Sequence, residues 1–203
     1  MIDSLLKLIH APVYRHRLKV LVGLIQPYLS ENNQVLDIGC GAGLLGNAIL
    51  NSASTPVGIE YKGVEKNPRG GEPIDVTGYD GNILPFEDDS FDIVVIADVL
   101  HHDLAPAKLL NEAARVSRKF VIVKDHKIDG FLAQYRVSFL DWVANEPYGV
   151  ECLYEYPNHL KWRSMLEDVS LNIVHEETSI DLYPPVFNAV FGKRLQYFVC
   201  AEK

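Results

Sequence analysis

The stretch Val35-Leu36-Asp37-Ile38-Gly39-Cys40-Gly41-Ala42-Gly43-Leu44-Leu45-Gly46 runs from apolar residues into a glycine-rich turn, and its residue types allow two chemistries. Gly41-Ala42-Gly43-Leu44-Leu45-Gly46 fits G-x-G-x-x-G, in which glycines let the backbone approach a pyrophosphate. Asp37, two residues before Gly39, instead brings a carboxylate to the same turn. Further along, Asp98, His101 and His102 follow one apolar run, and Lys124-Asp125-His126 follows another. An imidazole titrates near neutrality and can take a proton from a hydroxyl, phenol or amine nucleophile, so His126, His101 and His102 are the candidate general bases. At most one ring of the adjacent His101-His102 pair is expected to face a substrate, and Lys124 and Asp125 can equally pair with each other. No H-x-x-x-H or other tight ligand spacing on one helix face is present, so no metal site is expected.

These residues need a frame. Apolar runs alternate with helical patterns: Gln34–Ile38, Lys62–Glu65, Phe91–Ala97 and Phe120–Lys124 read as strands, and Leu44–Ser52 and Ala105–Val116 as helices. Strands apolar on both faces and separated by helices predict a doubly wound α/β fold around a mostly parallel sheet. Leu171–Val174 and Leu195–Ala201 add two more to a sheet expected to have seven strands, one of them an antiparallel edge strand. The chain of 203 residues is expected to form a single domain. Its parts are an N-terminal helical cap over 1–33, with Leu5, Leu6, Leu8 and Ile9 packed inward, and a cofactor-binding core over 34–126. An aromatic-rich insertion over 127–165 and closing strands over 166–203 follow. In such a sheet, residues at the carboxyl ends of strands face the ligand crevice, which selects the turn at Asp37 and the two histidine segments.

The carboxylate decides between the ligands of the glycine turn. Asp37 repels a diphosphate held beside it, whereas an ammonium or a sulfonium is attracted there. S-adenosylmethionine carries both cations and no phosphate, so it fits better than a nicotinamide dinucleotide. Asp37 then accepts the methionine ammonium, directly or through water; capping the turn is its alternative role.

Three blocks in order, Val35 to Gly43, Tyr79-Asp80-Gly81-Asn82-Ile83-Leu84-Pro85-Phe86 and Ser90-Phe91-Asp92-Ile93-Val94-Val95, make residues 34–124 resemble class I S-adenosylmethionine-dependent methyltransferases, of the short single-domain type 11 kind. The resemblance implies that Gly39, Cys40, Gly41 and Gly43 line the cofactor turn with Asp37, and that Asp98 faces the same crevice. It implies that an acidic residue ending the second strand holds the ribose hydroxyls. Glu60 and Glu65 both follow an apolar signal, and the spacing of Glu65, Arg69 and Asp80 resembles that of short methyltransferases, which favours Glu65. Asp80 is implied to accept from the adenine amino group, with Gly81 and Asn82 offering backbone and Ile83 an apolar floor.

The insertion supplies rings for a methyl acceptor: Trp142, Tyr148, Tyr154, Tyr156 and Trp162, together with His159. That lining suits a small, partly apolar molecule. The formal net charge of −8, with no run of basic residues, disfavours nucleic acid as partner. The opening residues carry too short an apolar run for a membrane anchor and no cleavage signal, and Cys40, Cys152 and Cys200 lie far apart, so a reducing cytoplasmic setting is expected. Two other readings remain at this level: a cofactor-binding protein without turnover, and a nicotinamide-dependent oxidoreductase using Gly41, Gly43 and Gly46.

Overall fold

The computed structural model describes residues 2–145 and 152–203, with side chains from Val13 onward. Tyr148 and the side chains of Leu5, Leu6, Leu8 and Ile9 therefore lie outside the described residues. The helices are α1 (Ile2–Ile25), α2 (Leu44–Leu50), α3 (Pro106–Val116), α4 (Ala133–Asn145), α5 (His159–Asp168) and α6 (Pro185–Phe191). The strands are β1 (Gln34–Ile38), β2 (Glu60–Glu65), β3 (Asp75–Gly78), β4 (Phe91–Ala97), β5 (Ser117–His126), β6 (Asn172–Glu177) and β7 (Gln196–Glu202). They form one seven-stranded sheet in the order β3-β2-β1-β4-β5-β7-β6. β1 pairs parallel with both β2 and β4, β4 pairs parallel with β5, and β7 is antiparallel to both β5 and β6. The antiparallel strand thus sits one place in from the edge, with β6 outside it.

Successive side chains of a strand point to opposite faces, so each apolar strand supplies two cores at once. Leu36, Ile38, Val94, Ile96, Val121 and Val123 pack against α3 and α5, through Leu109, Leu110, Ala113, Trp162, Met165 and Leu166. Val35, Ile93, Val95 and Ile122 pack the other way against α1 and α2, through Leu21, Val22, Ile25, Leu45 and Ile49. α3 begins with a proline in its first turn, where the missing N–H costs nothing, and buries Leu109, Leu110, Ala113 and Val116 along one stripe. α5 is capped by Asn158, whose side chain accepts from the Lys161 N–H, and buries Trp162, Met165 and Leu166 at helical spacing. Strand parity carries directly into the site: Asp37 shares the α1 face with Val35, Lys124 shares it with Ile122, and Asp125 shares the α3 face with Val123.

Candidate active site

At the carboxyl end of β1 the chain turns through Gly39, Gly41 and Gly43, all with positive φ, and enters α2 directly after Gly43. A Cβ on Gly39 would meet Val99 at 2.6 Å, so this glycine permits close packing within the protein. A Cβ on Gly41 would meet nothing within 4 Å, so this one borders open space, and its φ of +56° is one that side chains avoid. The Gly41 N–H donates to Glu65 Oε2 at 2.9 Å, while Glu65 Oε1 accepts from the Lys66 N–H at 2.8 Å. Glu65 ends β2 beside this turn, whereas Glu60 begins the same strand opposite Gln34, away from the crevice. Asp80 Oδ1 gathers the N–H groups of Asn82 and Ile83 at 2.8 and 3.2 Å, which shapes the turn through Gly81 and leaves Ile83 68% exposed.

Asp37 lies under the glycine turn, 2% exposed, and accepts from the Tyr61 hydroxyl at 3.2 Å. Burial pushes its carboxyl up to about 7, and the Tyr61 hydrogen bond and nearby Arg17 only partly counter this. Asp98, one residue past β4, takes a φ of +58°, a left-handed geometry that aspartate tolerates better than most residues. Its carboxylate accepts from Arg17 of α1 and from Lys124 Nζ at 2.5 Å. Burial opposes the charge of Asp98, but Lys124 and Arg17 overcome it and hold the carboxyl well below its ordinary range. The His126 ring is buried with Nε2 3.8 Å from Asp98, and its Nδ1 has no hydrogen-bond partner. Burial and then Lys124 push its pKa down to about 4, which keeps it neutral.

Next to it, with the His101 and His126 ring centroids 5.2 Å apart, a second buried group forms around His101. Nδ1 of His101 donates to Asp125 Oδ1 at 2.5 Å, and Asp125 also accepts from the N–H groups of Leu100 and His126 at 3.1 and 2.6 Å. Asp141 of α4 accepts from the Tyr156 hydroxyl at 2.6 Å and from Asn145 Nδ2 at 2.6 Å. It stands 3.6 Å from His101 Nε2 and 3.5 Å from His102 Nε2. Burial would lower the pKa of His101, but the two carboxylates, Asp125 foremost, raise it to about 10. His101 therefore carries a proton at neutral pH. A cavity of about 540 Å³ opens beside this group, lined by Leu100, His101, Tyr154, Tyr156, Lys161 and Trp162 among others.

Residues 36–122 match the family described as a methyltransferase domain. Over that stretch the chain is similar to a methyltransferase domain. The family implies S-adenosylmethionine as methyl donor. An uncharacterized methyltransferase from a Mycobacterium species, strain KMS, is 38% identical over 91 residues, a stretch covering 41% of this chain and 34% of that protein. The match thus spans about a third of the length of this curated relative. The fold is shared with a Haloferax volcanii protein solved in complex with the Trm112 methyltransferase activator, at TM-score 0.70 and 17% identity over 98% of this chain and 92% of that one. It is also shared with 1,6-didemethyltoxoflavin-N1-methyltransferase from Burkholderia thailandensis, solved with its acceptor and S-adenosylhomocysteine, at TM-score 0.65 and 15% identity over 92% and 78% of the two chains.

The crevice fits that cofactor. The open side of Gly41 leaves room at the backbone, buried Asp37 offers a carboxyl beneath it, Glu65 ends β2, and Asp80 lies just beyond the end of β3. The fold brings Asp37, Gly39, Cys40, Gly41, Gly43 and Glu65 together at one strand end and sets Asp80, Gly81, Asn82 and Ile83 on the neighbouring turn. Of the expected acceptor residues, Tyr154, Tyr156 and Trp162 line the cavity. Trp142 does not line it: this ring is 48% exposed on α4 and packs near Phe139. His159 is turned to Glu176 of β6 at 3.1 Å. Of the histidines, His101 lines the cavity, while His126 is enclosed between Asp98 and the Trp162 indole that donates to its carbonyl at 2.9 Å. Sequence reasoning missed Arg17 and Asp141. Each reads as an ordinary polar position on a helix, and only the tertiary fold brings Arg17 to Asp98, 81 positions on, and Asp141 beside His101 and His102.

Proposed function

We propose that this protein transfers a methyl group to a small molecule seated in the cavity beside His101. The observation that carries the reading is a shared turn: the segment after β4 supplies Asp98 to the cofactor crevice and Leu100, His101, Asp103 and Leu104 to the cavity wall. A donor and an acceptor held on the two sides of one turn are neighbours, and neighbouring alignment is most of what this reaction requires. S-adenosylmethionine, when bound, supplies an electrophilic methyl group on a sulfonium.

The chain's own groups do the rest. Glu65 releases the Gly41 N–H and offers both oxygens to the ribose hydroxyls, and Ile83 packs beneath the adenine while Asp80 accepts from its amino group. Asp37 holds the methionine ammonium, and Arg17, the cation of the Asp98 pair, lies on the same face for the methionine carboxylate. In the cavity, Tyr154, Tyr156 and Trp162 enclose the apolar part of the acceptor and exclude water. His101, its Nδ1 tied to Asp125, helps wall the cavity and is not free to act as a general base, which favours a nucleophile that arrives already anionic.

Incubation with methyl-labelled cofactor and fractionated small-molecule extracts tests the reading. Label is expected in a low-molecular-weight product, reduced at least tenfold by Tyr154→Ala, which alters an exposed cavity wall. Tight cofactor binding with no labelled small molecule in any fraction overturns it in favour of a cofactor-binding protein without turnover.

A further inference from the structure

Among the described residues, His101, His102 and Asp141 place three possible ligand atoms within 4.8 Å of one another. His101 Nε2 is buried and makes no hydrogen bond. The closest approach of Asp141, 3.6 Å, exceeds hydrogen-bonding reach, and His102 Nε2 stands 3.5 Å from the same Asp141 oxygen. A buried polar atom left unpaired is expensive, so the gap calls for an occupant. Its two distances from Asp141 suit one: two atoms each bound to a tetrahedral ion at 2.0 to 2.1 Å lie roughly 3.4 Å apart. The remaining polar atoms of His101 and Asp141 are already fixed. His101 Nδ1 is tied to Asp125, which sets the tautomer that presents Nε2, and the second oxygen of Asp141 is tied to Tyr156. A carboxylate behind the ligating imidazole is the usual support of a metal-bound histidine.

We propose that His101 Nε2, His102 and Asp141 bind one divalent first-row transition cation of the zinc(II) or cobalt(II) kind. Imidazole nitrogens favour these ions over magnesium or calcium, which take oxygen shells. The cluster sets two carboxylates, Asp125 and Asp141, against the His101 and His102 imidazoles, an arrangement that suits a positive charge. The ion takes the place of the His101 proton, which passes to solvent. Three protein ligands leave a coordination position, and His101 and Tyr156 also line the 540 Å³ cavity, so an oxygen atom from that side completes the shell. Asn145 is the internal competitor: its Nδ2 reaches Asp141 at 2.6 Å and His102 Nε2 at 3.3 Å, and it swings aside or turns its amide oxygen inward when the ion enters.

The site does not depend on methyl transfer, and its test uses none. Chelator-stripped full-length protein is titrated with cobalt(II), with uptake counted by elemental analysis and coordination read from visible absorption. One equivalent per chain is expected, with bands that zinc(II) abolishes by displacement. His102→Ala, at a partly buried position, and Asp141→Asn are each expected to weaken cobalt binding at least 100-fold, while His175→Ala on exposed β6 leaves it unchanged. Uptake well below one equivalent, or affinity unchanged in His102→Ala, overturns the proposal. Circular dichroism establishes that each variant is folded; if Asp141→Asn is not, His102→Ala decides alone.

Discussion

On the α1 face of the sheet, Asp37 and Asp98 share the carboxyl edge with two cations of the chain itself, Arg17 and Lys124; on the α3 face, the ion-pair partners of Asp125 and Asp141 among the described residues are two imidazoles. The first group is balanced from within. Its most acidic member is clamped twice, and the remaining carboxyl, Asp37, sits near neutrality with a proton to release. The second group is short of positive charge and raises the basicity of His101 until a proton fills the deficit. Buried ions need partners, and the two faces find them differently. A self-neutralised cluster fixes backbone geometry, here the left-handed turn at Asp98, while an under-neutralised one recruits something mobile.

The largest way to break this contrast is to remove an anion from the balanced side. Asp98→Ala leaves Arg17 and Lys124 facing each other in a buried setting and is expected to cost about 3 to 5 kcal/mol of unfolding free energy in urea denaturation. Asp98→Asn, which tolerates the same backbone, should lose less. On the other side, Tyr156→Phe removes a donor from a buried carboxylate and is expected to cost about 1 to 3 kcal/mol by the same measurement.

A third measurement sharpens the comparison through pH. Below about 7 the Asp37 carboxyl is protonated, and seating an ammonium against it must first expel that proton. Affinity for S-adenosylhomocysteine, followed by calorimetry, should therefore fall as pH drops from 8 to 6, by at most about tenfold per unit, and Asp37→Asn should remove the dependence. In the free protein the sign is reversed. A carboxyl raised above its unfolded value favours the fold while protonated, and that contribution disappears as pH climbs from the ordinary carboxylate range through about 7. The smallest expected effect is Tyr61→Phe, under about 1 kcal/mol, because the bond it deletes serves a carboxyl whose charge burial already partly suppresses. A Tyr61→Phe loss equal to that of Tyr156→Phe would erase the proposed difference between the faces.

Where the sequence was legible, a local pattern carried the structure. β1 and β4 fall where their two-sided apolar runs place them, and the glycines announce the turn. β3 escaped reading because Asp75–Gly78 is short and mostly exposed, with too little apolar character to mark a strand. α5 was folded into the aromatic insertion because Pro157 looked like a breaker, although Asn158 is a helix cap and Trp162, Met165 and Leu166 have helical spacing. The cofactor crevice lies largely within one contiguous core and was therefore visible. The His101 group was not, because it joins the end of one strand to the middle of a helix, and no spacing within either announces the other.

The outer strands of the sheet carry a further consequence. β6 ends in Glu176 and Glu177, held by His159, Arg163 and His175, and β3 at the opposite margin offers only four residues, beginning with an aspartate. A second copy adding itself edge to edge along β6 would bring these glutamates near their own counterparts, and along β3 it would gain too few backbone bonds to compensate. The sheet is thereby guarded at both margins against growing into a fibre, even though its interior strands are among the most β-prone segments of the chain.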